Sequence, residues 1–221
     1  MAASGKPEPF RLGFLTAIDL PDKGYVGGLL VTNHFGRPLE FQCTLPVRPN
    51  ATQEILYGPT LEPFLLGELI GATLIEKSGI KPHLVFTDRE QILELREHIE
   101  SPVLFVEERA GRARKAVVES VAPEGEAEQA AARAEALSQL GVGQSTGEKP
   151  LREVATEMPA AGGGRTLRLG RQTVRIHSAH PGDDDRIATG ATVIPADADL
   201  HEPFDRVREA LQETLKSAGL K

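Results

Sequence analysis

Leu12-Gly13-Phe14-Leu15-Thr16-Ala17-Ile18-Asp19, then Tyr25-Val26-Gly27-Gly28-Leu29-Leu30-Val31, then Leu39-Glu40-Phe41-Gln42-Cys43-Thr44-Leu45 is the stretch that decides the fold. The first run is apolar and of strand length, and it stops in the turn-rich Asp19-Leu20-Pro21-Asp22-Lys23-Gly24. The second and third runs flank Asn33-His34-Phe35-Gly36-Arg37-Pro38. Asn and Gly tolerate the left-handed backbone that a hairpin reversal needs, so these two runs are expected to pair as a hairpin. In the third run Leu39, Phe41, Cys43 and Leu45 alternate with Glu40, Gln42 and Thr44, which predicts a strand whose apolar face is buried. The other runs are apolar throughout, as strands covered on both faces are.

Downstream, Pro46–Pro59 is an irregular connection with a helical turn expected at Gln53–Tyr57. Thr60 is placed to cap a helix over Leu61–Lys77, with Leu61, Phe64, Leu65, Leu69, Ala72 and Ile75 at helical spacing. Gly67 and Gly71 lie four apart, so another element can approach that face closely. His83–Phe86 predicts a short strand before Thr87-Asp88, Arg89–Ile99 an amphipathic helix, and Val103–Val106 a further strand. From Glu107 the sequence turns rich in Ala, Glu, Gly and Arg, with a helix expected over Ala127–Leu140 inside otherwise flexible chain. Thr166–Ile176 predicts a hairpin around Gly170-Arg171, Gly190–Ile194 a short strand, and Asp197–Lys216 a helix capped by Asp199. The expected organisation is a loose N-terminus (1–9), an α/β core (10–108), a low-complexity insertion (109–164) and C-terminal strands and helix (165–221) that pack on the core.

A chain of 221 residues, 40% of them hydrophobic, suffices for one core with appendages. The formal charge of −7 argues against a broad nucleic-acid surface, because binding phosphate requires Lys and Arg to replace counterions. The one cysteine, Cys43, cannot form an internal disulfide and reads as a small buried side chain rather than a nucleophile. No run approaches the roughly 20 apolar residues of a membrane span, and the N-terminus lacks a signal-type apolar stretch. The expectation is a soluble, cytoplasmic protein with no membrane partner, of undetermined oligomeric state.

Two carboxylates follow apolar runs: Asp19 after Leu12–Ile18, and Asp88 after His83–Thr87. At the ends of adjacent strands such a pair can bridge divalent cations for attack on a phosphodiester. In this order of strand, hairpin, helix, strand and helix the chain resembles the ribonuclease H-like superfamily, over residues 12–106. The resemblance implies an α/β fold with a mixed sheet, in which Asp19 matches the family's first-strand aspartate and Val85-Phe86-Thr87-Asp88 its fourth strand with the acid. A third acid is implied at the start of the first long helix, where Glu62 stands, with Glu54 and Glu68 as competitors. A fourth is implied on the terminal helix, at Glu202 or Asp205.

Each aspartate also has a plainer explanation, Asp19 as a turn former and Asp88 as the N-cap of the helix that follows it. His177 and His180, followed by Asp183-Asp184-Asp185, offer donors of the right kind for a divalent metal, although a solvated loop explains them equally. Arg165, Arg168, Arg171 and Arg175 form a basic cluster that fits the exposed face of a hairpin. The favoured expectation is therefore a non-catalytic scaffold without a cofactor, acting through a protein partner that the sequence does not identify. The alternative is a magnesium- or manganese-dependent nuclease using Asp19, Glu62 and Asp88.

Overall fold

The computed structural model describes residues 9–21, 23–107, 165–177 and 179–219. The expected loose N-terminus, apart from its last residue, and the insertion at 109–164 with its helix at 127–140 lie outside the described residues. A seven-stranded sheet in the order β3-β2-β1-β4-β5-β7-β6 forms the framework. Its strands are β1 (Arg11–Leu20), β2 (Gly24–Asn33), β3 (Pro38–Cys43), β4 (Leu84–Thr87), β5 (Val103–Val106), β6 (Arg165–Leu169) and β7 (Gln172–Ile176). The β1–β2–β3 meander is antiparallel, whereas β1, β4 and β5 run parallel. This is an α/β fold with a ribonuclease H-like mixed sheet, as the order of runs in the sequence implies. β7 extends the sheet by pairing antiparallel with β5, and β6 closes it as the second arm of a hairpin whose turn residue Gly170 has φ +57°.

Helices cover both faces. On one side lie α3 (Asp184–Val193) and the terminal helix α4 (Glu202–Ser217), which places Phe204, Val207 and Leu211 against Phe14, Phe86 and Leu104. Phe14 stacks on Phe86 at 5.4 Å and meets Phe204 edge-on at 5.6 Å. On the other side α2 (residues 61–77) and a 3₁₀ helix (Glu90–Glu97) bury Leu66, Ile70, Leu74, Ile92 and Leu95 over Leu15, Leu29 and Val85. Gly27 and Gly28 explain how β2 sits between two helices. A Cβ on Gly27 would overlap Ile70 of α2, and one on Gly28 would lie 2.7 Å from Val207 of α4. A short helix α1 (Ala51–Tyr57) starts at Asn50, whose side chain accepts from the Gln53 amide at 2.9 Å while Gln53 returns the bond to the Asn50 amide.

Several local expectations are corrected. Phe64–Gly71 inside α2 is π-helical, and the wider turn moves the apolar stripe onto Leu66, Ile70 and Leu74, leaving Leu69 40% exposed. Gly67 and Gly71 do receive a close neighbour: a Cβ on Gly67 would stand 3.1 Å from the Leu95 amide nitrogen. Thr60 does not cap α2, and its hydroxyl donates instead to the Tyr57 carbonyl.

The stretch expected as a strand at Gly190–Ile194 belongs instead to α3. Its acidic first turn, Asp184 and Asp185, suits a helix N-terminus, and Ile187, Gly190 and Ile194 turn inward at helical spacing. The alternation in β3 reads in the opposite sense to the one expected. Leu39 and Phe41 are exposed because β3 is the outer strand, while Glu40 is held by its neighbours. The Glu40 carboxylate accepts from the Gly79 and Ile80 amides, the Ser78 hydroxyl and Gln42. These donors, led by Gln42, hold its pKa at about 2. Among the described residues no helix is long and apolar enough to cross a membrane.

Candidate functional site

Whether Asp19 and Asp88 meet depends on strand register. Leu12 of β1 is level with Leu84 of β4, and Leu15 with Thr87. Side chains alternate between the two faces along a strand. Leu12, Phe14, Leu84 and Phe86 lie in the α4-side cluster, whereas Leu15, Ala17 and Val85 lie in the α2-side cluster. Asp19 is in step with Leu15 and Ala17 and belongs to the α2 face. Asp88 reaches the α4 face, where its Oδ2 accepts from Arg208 Nη2. The sheet stands between the two carboxylates, so the structure does not bring together the Asp19–Glu62–Asp88 set.

Glu62 shares the face of Asp19. Tyr25, opposite Asp19 across the β1–β2 ladder, donates its hydroxyl to Glu62 Oε1 at 2.9 Å, and Gln91 donates to Oε2 at 3.1 Å. Burial, the bond to Glu62 and the charges of Glu62 and Asp19 push the Tyr25 hydroxyl up to about 12. This is a closed polar network in which both Glu62 oxygens are used. Of the competing acids, Glu68 faces His98 at 3.9 Å and Glu202 pairs with Arg206 at 2.9 Å. Glu54 lies on α1, where its amide closes the first turn by donating to the Asn50 carbonyl.

Asp88 has a different setting. It does not cap the helix after it: the Arg89 amide donates to the Thr87 hydroxyl at 3.1 Å instead. The Asp88 side chain is only 6% exposed, and its Oδ1 has no hydrogen-bond partner among the described residues. Arg208 bridges from Asp88 to Asp205 Oδ1, 3.0 Å from its Nη1, so one guanidinium gathers two acids. Thr16 follows Leu15 and is thus level with Asp88 on the same face. It is fully buried, and its hydroxyl is also without a partner among the described residues. Buried polar atoms are nearly always bonded, and here two unpartnered ones among the described residues fall level with each other on the neighbouring strands β1 and β4. The donors are all hard oxygens, the type that magnesium and manganese prefer. Two carboxylates against one guanidinium leave a net negative charge, so the set suits a cation once Arg208 turns to another anion.

Neither Thr16 nor Arg208 is singled out by the sequence alone. Arg208 was detectable in principle, since it lies four residues after Phe204 at the margin of the apolar stripe of α4, where a charge needs a partner. His177 and His180 do approach each other, with ring centroids 5.3 Å apart, and Glu97 of the 3₁₀ helix joins them. The acids that follow them in sequence point elsewhere: Asp183 binds Arg96, and Asp184 binds Arg165. The basic hairpin is paired internally too, with Arg175 on Glu90 at 2.8 Å and over the Phe105 ring.

No protein-family model matches the chain, and no curated protein does. Solved structures do. The catalytic domain of human endonuclease V matches at 16% identity over 97% of this chain and 86% of that one, with a TM-score of 0.43. Endonuclease V of Ciona intestinalis, in complex with a 23mer DNA containing an inosine followed by a ribo-adenosine, matches at 10% identity over 94% and 87%, with a TM-score of 0.44. A second Ciona complex, with a 24mer DNA, matches at 11% identity over 94% and 87%, with a TM-score of 0.42. The likeness is one of fold. Two expectations are corrected beside it. A non-catalytic scaffold acting through a protein partner does not agree with matches that are endonucleases, and nucleic acid as an unlikely partner does not agree with matches solved on DNA. The physical reason is that a net charge averages the whole surface, whereas contact with phosphate needs only a few cations in one place.

Proposed function

We propose that this chain is a divalent-cation-dependent phosphodiester hydrolase acting on nucleic acid, with its reacting centre at the carboxyl end of β4 on the α4 face. The observation that carries this reading is the buried Asp88 carboxylate, which has one oxygen without a partner among the described residues and the other shared, through Arg208, with Asp205. Asp88 and Asp205 would hold a magnesium or manganese ion, with the Thr16 hydroxyl beside Asp88. A cation there supplies Lewis-acid polarisation of a phosphoryl oxygen and a more acidic water. Arg208 is 39% exposed, so its planar guanidinium reaches solvent and can take two oxygens of a phosphate. Turned from Asp88 to the substrate, it would free the carboxylate to orient a water whose oxygen bonds to phosphorus as the P–O bond to the leaving strand end breaks, the leaving oxygen taking a proton from solvent. Asp205, 41% exposed, stands where it can accept the proton that this water sheds. Asp19 and Glu62 take no part, because they lie across the sheet.

The test is incubation of the full chain with end-labelled single-stranded DNA, duplex DNA and RNA, with magnesium or manganese and with chelator. Cleavage that requires the cation and falls at least ~100-fold in Asp88→Asn, with far-UV dichroism unchanged, supports the reading. Should Asp88→Asn fail to fold, Asp205→Asn on the exposed side takes its place. Absence of cleavage on every substrate, or cleavage undiminished in the folded variant, overturns it.

A further inference from the structure

Glu97, His177 and His180 lie at the opposite end of the sheet from Asp88. β7 runs antiparallel to β5, so its last residue, Ile176, pairs with Leu104 near the start of β5. His177 leaves the sheet there, beside the end of the 3₁₀ helix that returns the chain from β4 to β5. We propose that these three side chains form a binding site for zinc or a similar borderline transition-metal ion. This assignment does not rest on the hydrolase reading.

The chemistry of the donor set comes first. Two imidazoles and one carboxylate are a recurrent zinc ligand set that leaves one position open to water, whereas magnesium and calcium prefer oxygen alone. The spacing comes second. His180 Nε2 lies 3.0 Å and His177 Nδ1 3.9 Å from Glu97 Oε1, and one ligand atom from each residue falls within 4.8 Å of the others. Ligand atoms around a tetrahedral zinc are about 3.3 Å apart, given bonds of about 2.0 Å, so small rotations of these side chains complete the site. His177 Nδ1 accepts a long bond of 3.4 Å from the Ala179 amide, which a metal ion at this nitrogen would replace.

The third argument is preorganisation. Arg96, next to Glu97, makes a two-pronged ion pair with Asp183, three residues after His180, at 2.7 and 2.9 Å. Asp183 is 3% exposed, and its amide donates to the His180 carbonyl. One buried clamp therefore fixes both the helix end that carries Glu97 and the turn that carries His180. Glu97 also lines an open cleft of about 580 Å³ with Arg96, Glu100 and Arg186.

The experiment uses the full chain without an affinity tag. Titration calorimetry with zinc, and visible absorption with cobalt as its spectroscopic stand-in, should show one ion per chain with the d–d bands of a low-symmetry site. Magnesium should not compete. His180→Ala and Glu97→Gln should each weaken zinc by at least ~30-fold, while magnesium- or manganese-dependent strand cleavage is unchanged in both. No zinc uptake, or uptake equal in the parent and both variants, overturns the assignment. If cleavage is absent altogether and zinc still binds through these residues, the hydrolase reading fails and this one stands.

Discussion

Two polar groups on opposite sides of one sheet show how differently a fold can treat its carboxylates. On the α2 face, Glu62 gives one oxygen to Tyr25 and the other to Gln91, and Asp19 adds its charge to the same group. Both Glu62 oxygens accept from side chains of the protein. On the α4 face, Asp88 is more deeply buried and less fully bonded, with an oxygen level with the Thr16 hydroxyl and both without a partner among the described residues. Leaving a buried acceptor unsatisfied costs roughly 1–3 kcal/mol. The first group is closed by its own hydrogen bonds, whereas the second is held open under the cover of α4. Proximity in the chain says nothing of this difference, and strand parity and bond satisfaction decide it.

Removing the cover is the most severe way to break the comparison. Phe204→Ala empties a fully buried site beside Phe14 and should cost about 3–5 kcal/mol, read as a fall in the denaturant midpoint. It should also loosen Arg208, four residues along the same helix, so any cleavage should decline in the fraction that stays folded.

Next in size is Asp88→Asn, with a loss of activity of about 100-fold and only a small change in melting temperature. The same change at Asp19 should leave cleavage intact. Equal loss at both positions would contradict the two-sided arrangement.

Tyr25→Phe should cost about 1 kcal/mol by removing the hydroxyl's bond to Glu62. The Tyr25 hydroxyl is raised from 10.0 to about 12 in the folded chain, so its contribution is present in full below pH 10 and disappears as the pH rises towards 12. Denaturation curves between these limits should be flatter in the variant, and identical slopes would remove Tyr25 from the network. The smallest effect is expected at Glu40, a half-exposed staple between β3 and the Ser78–Ile80 turn. Its pKa is lowered from 4.5 to about 2, so its stabilisation is present above about pH 4.5 and fades as the pH falls towards 2. Glu40→Gln should show a weaker loss of stability across that interval.

The sheet was legible because its signals are local. The Asn33–Pro38 reversal, the apolar runs of β1 and β2, and the turn at Gly170 each follow from a few neighbouring residues, and the parallel partner β4 follows from the helix between. Misread elements were those decided by tertiary context. β3 alternates in sequence, but it is the outer strand of the sheet, and Leu39 and Phe41 are exposed there. The π-helical turns of α2 shift a stripe whose start was correctly located. Gly190–Ile194 has the composition of a strand and yet belongs to a helix that begins at a run of aspartates. The functional residues were harder still. Asp88 is visible from its strand, but Thr16 looks like one more residue in an apolar run. Arg208 acquires meaning only once α4 is laid over β4, from residues 120 positions apart in the chain.

The pairing of β5 with β7 bears on how this sheet can assemble. Val106 pairs with Val174, the Glu107 amide donates to the Thr173 carbonyl, and Arg165 of β6 pairs with Ile176 of β7. The β6–β7 hairpin is held by its own turn, whereas its neighbour β5 is distant from it in sequence. Partners far apart in the chain meet slowly, because closing the ring between them costs entropy before any contact rewards it. The hairpin edge should therefore join the sheet last, with its amides protected from exchange after those of β1 and β2.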